Sequence, residues 1–153
     1  MITVRARAEV GLWAKPVQEW MSRRVVAVEP THTARFALQA MLDHGRRHVL
    51  VREGARLVGI VCQRDILGAA GLEPYRPLDL GRPVEQIMTR APLASITPDQ
   101  ALARAAWLMR ARDVGVLPVI GPAGQVLGIL TSDDVLRAIP GAGRLRRGSG
   151  LEL

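Results

Sequence analysis

The feature that most limits what this chain can fold into is that it is written twice. Gly128 to Leu136 reads GILTSDDVL, and Gly59 to Leu67 reads GIVCQRDIL. In the later stretch an apolar run ends at Thr131, polar residues follow, and a new apolar spacing begins at Val135. That is the pattern of a strand running directly into a helix. The echo extends outward: Val17-Gln-Glu-Trp-Met-Ser22 matches Val84-Glu-Gln-Ile-Met-Thr89. A repeat of this length means one supersecondary unit used twice, with neither copy expected to bury enough apolar surface alone.

The two copies can be read element by element. Val25 to Val28 is a β-branched run closed by Glu29-Pro30-Thr31, and its counterpart is Leu93 to Ile96 closed by Thr97-Pro98-Asp99. A helical spacing follows each proline, with Ala34, Leu38, Met41 and Leu42 on one face and Leu102, Ala106 and Met109 on the other copy's face. Thr31 and Asp99 are the expected N-caps. A hairpin comes next: His48 to Val51 with Leu57 to Val61 through Glu53-Gly54, and Val116 to Ile120 with Val126 to Leu130 through Gly121 to Gly124. Short helices close the copies, Asp65 to Ala69 and Asp133 to Ile139. The expected fold is therefore α/β in the broad sense (α+β), two β-α-β-β-α repeats.

The expected divisions are a lead-in over 1–16, a first repeat over 17–70, a linker over 71–83, a second repeat over 84–139 and a flexible tail over 140–153. In the lead-in, Val4 and Val10 to Trp13 read as a strand or as a stretch lying across the module. The linker is set by the Gly- and Pro-rich run from Gly68 to Pro83.

Composition narrows the class of partner. Hydrophobic residues make up 48% of the chain and aromatics 3%, so the core must be aliphatic. The formal charge is +7, carried almost wholly by arginine, with Lys15 as the single lysine. Such a balance favours anionic partners; a GC-rich coding bias explains it equally. Arg144, Arg146 and Arg147 form the one tight cluster. Cys62 is the single cysteine, which excludes a disulfide framework and a multi-cysteine metal site. No apolar run approaches membrane-spanning length and no secretory h-region opens the chain, so a soluble cytoplasmic protein without a membrane partner is expected.

The Met-Ser and Met-Thr starts, Val-Gly-Val-Leu-Pro-Val at 114–119 and Gly-Ile-Leu-Thr-x-x-Asp at 128–134 together resemble a tandem pair of cystathionine β-synthase (CBS) domains, a Bateman module, over roughly residues 15–139. The resemblance implies two repeats packed sheet to sheet about a pseudo-two-fold axis, clefts that take adenine nucleotides or adenosyl ligands, and dimerisation into a disc.

From spacing alone, Thr131 and Asp134 have two readings that can coexist. They form a capping box that starts a helix, or they offer a hydroxyl, exposed amides and a carboxylate to a phosphate and a ribose diol. The resemblance favours the ligand role and implies a main cleft in which Thr131 and Asp134 face Val25, Val26, Arg46, Arg47 and His48. The valines would wall the adenine, and Arg46 or Arg47 would hold phosphate. The plain alternative for the arginines is a solvated pair at a helix C-terminus. His48 has no second ligand at metal spacing and is read as hairpin surface.

The resemblance implies a second cleft of Cys62 and Asp65 with Leu93, Gly115 and Val116. Cys62 stands where the family has Thr or Ser, and Asp113 and Val114 stand where the first copy has Gly45 and Arg46. This cleft is expected to be weaker for phosphates, either empty or suited to a less charged adenosyl ligand. Cys62 is read as a small buried hydrophobe rather than a reactive thiol. Trp107 lies beside the apolar helix face, where the first copy has Gln39, and is read as an exposed anchor for a homodimer.

The function expected is regulatory: an energy-sensing module that binds AMP, ADP or ATP and signals to an unidentified protein partner, with S-adenosylmethionine as the alternative ligand. Mg²⁺ would accompany ATP without the sequence requiring it. A purely structural interaction module with empty clefts is the second alternative. An enzyme is not expected, because no nucleophile-base arrangement, P-loop or metal cluster is present. Nucleic-acid binding is disfavoured because no aromatics interleave the arginines for base stacking.

Overall fold

The computed structural model describes residue 11, residues 13–69 and residues 79–139. The expectations on Val4 and Val10, on most of the linker and on Arg144 to Arg147 lie outside the described residues. The architecture is mixed α and β. A 3-10 turn at Val17–Glu19 is followed by β1 (Ala27–Val28), α1 (Ala34–Asp43), β2 (His48–Glu53), β3 (Arg56–Cys62) and α2 (Gln63–Ala69). A second 3-10 turn at Val84–Gln86 leads into β4 (Thr89–Arg90), α3 (Leu102–Arg112), β5 (Val116–Ile120), β6 (Val126–Thr131) and α4 (Ser132–Arg137).

The chain divides into two compact units. One comprises Arg23–Ala94 with Ala123–Val126, and the other Met1–Ser22, Ser95–Pro122 and Leu127–Leu153. The units cut across the sequence repeats, because each is completed by the opening segment of the other copy.

In the unit built on Arg23–Ala94, a four-stranded sheet has the order β1-β2-β3-β4. β1 runs parallel to β2, with Ala27 opposite Leu50, and β2 pairs antiparallel with β3, with His48 opposite Cys62. Val49, Val51 and Val61 from the sheet pack with Ala34, Ala37 and Met41 of α1, Ile66 of α2 and Val84. β4, which opens on the Thr of the second copy's Met-Thr start, adds to β3 with Gly59 opposite Arg90. Ahead of it, the carbonyls of Arg82 and Leu80 accept from Ala34 N (2.8 Å) and Arg35 N (2.9 Å). These are donors that the first turn of a helix leaves without an internal partner.

The other unit repeats this arrangement. Leu102 N, at the start of α3, donates to Lys15 O at 3.0 Å, and Val17 N donates to Gln100 O at 2.8 Å. Ser22 and Ile129 exchange both backbone bonds, at 2.8 and 2.9 Å. Val17 and Val84 are both fully buried, which is why the two opening segments share their sequence. The contacts at the paired glycines explain the repeated Gly-Ile. A Cβ on Gly128 would stand 2.5 Å from Ser22 O, and one on Gly59 would stand 2.8 Å from Thr89 O. Each glycine leaves room for an incoming backbone.

Several local expectations are corrected. The cap of α1 is Thr33, whose hydroxyl accepts from Phe36 N at 3.2 Å, and α3 starts after Ala101 with no side-chain cap. Thr31 and Asp99 fall short of both helices, because Pro30 and Pro98 open turns that last two residues longer than the spacing suggests; Asp99 instead accepts from the Thr97 hydroxyl at 2.6 Å. The inward residues of α1 are Ala34, Ala37 and Met41, while Leu42 is exposed. In α3, Ala105 rather than Ala106 is buried with Leu102 and Met109. The first β-branched run pairs only at Ala27 and Val28, and its counterpart makes a single bridge between Ile96 and Val119. α2 begins at Gln63 and α4 at Ser132, each directly after its strand.

Candidate functional site

The strand-to-helix junction of β6 and α4 holds Asp134, the buried charged residue among those described, at 6% exposure. Thr131 is the N-cap of α4. Its hydroxyl accepts from Asp134 N at 3.3 Å, and Asp134 Oδ2 accepts from both Thr131 N (2.8 Å) and Thr131 Oγ1 (2.7 Å). The capping box is therefore complete. It uses amides that the sequence reading offered to an anion, so the Thr131 and Asp134 main-chain donors are committed to the helix start. Asp134 Oδ1 is paired with the guanidinium of Arg137, one turn along α4. The sequence reading missed Arg137; the signal was its i,i+3 spacing from Asp134.

Gly115 and Val116 are brought to the same end of this unit. Ser132 N donates to Gly115 O at 2.9 Å, and Val116 opens β5, buried. The other unit carries the same bond at the same place, Gln63 N to Arg47 O at 2.8 Å. Gly115 is thus the structural counterpart of Arg47, which fixes the charge difference between the copies in space. The turn before each is also shared: Gly45 and Asp113 both adopt left-handed backbone, with φ of 59° and 52°.

In the Arg23–Ala94 unit the same end of the sheet gathers residues that the sequence reading assigned to different clefts. Val26 O accepts from Leu50 N at 3.0 Å, so Val25 and Val26 run beside the start of β2. Arg46 N donates to Met41 O at 2.8 Å, His48 lies opposite Cys62, and Arg47 is exposed. Asp65 Oδ2 accepts from Cys62 N at 2.7 Å, the counterpart of the Thr131–Asp134 bond. Burial, then the charge and hydrogen bond of Asp65, push the Cys62 thiol up to about 12, against the opposing pull of Arg64. A thiol held protonated is a poor nucleophile and metal ligand. Leu93 is half-buried in this unit, directly after the cis Ala91–Pro92 pair.

Other features lie away from these junctions. A groove of ≈ 350 Å³ opens at the far end of β3, lined by Arg56, Leu57, Glu85 and Arg90 among others, and contains none of the candidate residues. Trp107 is exposed, as its off-face position predicts, and the Arg104 guanidinium lies 4.3 Å from its ring centroid. Among the described residues no three His, Cys, Asp or Glu side chains group to hold a metal ion, and no helix is long and apolar enough to cross a membrane.

The family model described as CBS domain matches residues 17–71 and again residues 84–141. Inosine-5'-monophosphate dehydrogenase of Korarchaeum cryptofilum is 28% identical over 133 residues, covering 87% of this chain and 26% of that protein. The chain spans between 24% and 43% of the length of the first curated relatives it matches. Among solved structures, the CBS domain pair of protein MJ0100, in complex with 5'-methylthioadenosine and S-adenosyl-L-methionine, superposes with a TM-score of 0.71 at 24% identity, covering 81% of this chain and 94% of that one. CBSX2 in complex with AMP gives a TM-score of 0.66 at 28% identity, covering 80% and 94%. With the family model matched twice, over most of its length and in the register of its internal repeat, this chain belongs to the CBS-domain family as a tandem pair.

Proposed function

We propose that this CBS pair is a regulatory module that binds an adenine nucleotide through its strand-to-helix junctions and passes the bound state to a protein partner, without catalysis of its own. The observation that carries this reading is the buried carboxylate of Asp134 in the first turn of α4, just after β6, matched by the half-buried Asp65 in the first turn of α2, just after β3. A carboxylate is costly to bury unless it is hydrogen-bonded and paired; Thr131 and Arg137 meet that cost at Asp134, and the same acidic residue recurs at the matching junction of the other copy. The binding of AMP by CBSX2 supports the ligand class, and pairs of this family are generally regulatory modules. In this reading the main site joins Thr131 and Asp134 with Val25, Val26 and His48, and Arg46 and Arg47 supply charge for phosphate. The second site joins Cys62 and Asp65 with Leu93, Gly115 and Val116. Val114 and Gly115 occupy the arginine positions there, which favours a less charged adenosyl ligand such as S-adenosylmethionine.

A second copy of the chain is proposed to pack on the exposed apolar helix residues, Trp107 and Leu136 in one unit and Phe36 and Leu67 in the other. The test of function is calorimetric titration with AMP, ADP, ATP and S-adenosylmethionine, on the parent and on Asp134→Ala. Saturable binding that the variant loses supports the reading, and affinity rising with phosphate number supports the arginines. Silence with all four ligands from the folded protein overturns it in favour of a purely structural interaction module.

A further inference from the structure

The two aspartates are not held alike. A carboxylate has about four lone-pair directions. On Asp134, Thr131 takes two of them, both on Oδ2, and Arg137 takes one on Oδ1. One direction is left, whereas a ribose diol brings two hydroxyl donors. On Asp65, Cys62 N occupies Oδ2 and the Cys62 thiol also bonds the carboxylate, as Thr131 does on Asp134, but the residue standing where the other copy has Arg137 is Gly68. No side chain from that position reaches Asp65.

Arg137 is also poorly explained as a stabiliser of the fold. Its side chain is 71% exposed, and an ion pair with one partner in solvent contributes little to folding. The capping box is complete without it, since both Thr131 bonds fall on the other oxygen. What Arg137 does occupy is the one oxygen of Asp134 with acceptor capacity to spare.

We propose that Arg137 is a latch on Asp134: it must leave Oδ1 before a ribose diol can bind, so the Asp134 junction is held shut by an internal competitor that the Asp65 junction lacks. This rests on the reading of Asp134 as the ribose-binding group. The latch sets the order in which the two copies fill. A neutral nucleoside occupies the Asp65 junction first and reaches the Asp134 junction only against the ion pair.

The probe is adenosine, which brings the diol without a charge of its own. It is titrated calorimetrically at low and moderate salt into the parent, Arg137→Ala, Asp134→Ala and the double variant, with circular dichroism to confirm folding. Arg137→Ala should bind adenosine about five- to tenfold more tightly at the weaker site. In the parent, binding there should strengthen as salt screens the ion pair, the reverse of ordinary electrostatic binding, and Arg137→Ala should lose that dependence. Adding Asp134→Ala should remove the gain. Gly68→Arg, at a position where a Cβ meets nothing within 4 Å, should install the latch on Asp65 and weaken the tighter site. If Asp134→Ala abolishes binding but Arg137→Ala leaves it unchanged or weaker, the latch is refuted and the ribose reading stands. If Asp134→Ala changes nothing, or no variant binds adenosine, the ribose reading fails and the latch falls with it.

Discussion

Replacing Gly128 by Ala tests whether the opening segment of the chain is seated against β6. The added methyl would stand 2.5 Å from Ser22 O, 3.2 Å from Met21 Sδ and 3.3 Å from Ser22 C. The thioether can swing aside, but the main chain of Ser22 cannot, because it exchanges two hydrogen bonds with Ile129. Overpacking costs about 1–3 kcal/mol. Losing or stretching the two backbone bonds adds about 0.5–1.5 kcal/mol each. The expected loss is about 2–6 kcal/mol, a large share of the roughly 5–15 kcal/mol that holds a domain folded. Urea denaturation followed by circular dichroism reads it as a midpoint shift of about 2 M for a slope near 2 kcal/mol/M. Gly59→Ala should behave similarly but more mildly, since its tightest contact is the flexible Met88 Sδ at 2.6 Å. Gly68→Ala is the control: it lies in α2 with open space around it, and alanine there should stabilise by up to about 1 kcal/mol. A Gly128→Ala protein within about 1 kcal/mol of the parent would refute the close approach of Ser22 to Gly128.

The remaining predictions concern the junctions and the surface. Thr131→Ala removes the hydroxyl from the capping box and should cost about 1 kcal/mol by the same urea assay, whereas Thr31→Ala and Asp99→Ala, which cap nothing, should cost less than about 0.5 kcal/mol. Cys62 should resist iodoacetamide at pH 8 in the native protein and react promptly once unfolded. Because its folded pKa, about 12, is raised above the ordinary 9.0, its contribution to stability is fully present below pH 9 and fades as pH rises toward 12; Cys62→Ala should flatten that alkaline loss, and an unchanged profile would assign it elsewhere. Trp107→Ser should lower the mass seen by sedimentation equilibrium if the exposed ring anchors a second copy; a parent that is already monomeric at micromolar concentration would dismiss the anchor.

The sequence made some parts of this fold plain and hid others for identifiable reasons. The hairpins were legible because β-branched runs flank glycine turns, and β5 was placed at Val116–Ile120 to the residue. The four helices of the repeat were legible but their inner faces were shifted, because Ala37 and Ala105 pack inward while Leu42 faces solvent. Hydrophobicity alone ranks those residues the other way. The exchange of opening segments was signalled by Val17 and Val84 and by the paired glycines, yet no periodicity reports which copy a segment joins. At the site, Thr131 and Asp134 stood out because a short motif fixes their spacing. Arg137 did not, since an arginine three residues past a carboxylate is common on any helix surface, and only the geometry shows which oxygen it covers.

The exchanged segments also set an order of events. Nearly all of one unit is contiguous, from Arg23 to Ala94, with its fourth strand arriving at its own end. The other is split around it: Val17 must find Gln100, and Ser22 must find Ile129. During synthesis the four-stranded sheet is complete as soon as β4 emerges, while Val17 to Ser22 has no seat until β6 is made. Closing so long a loop costs little more equilibrium stability than closing a short one, but it is slow. The Val17 to Ser22 segment is therefore seated after the sheet that follows it in sequence, and until then the paired edge of β6 stands open to the same segment of any other copy nearby.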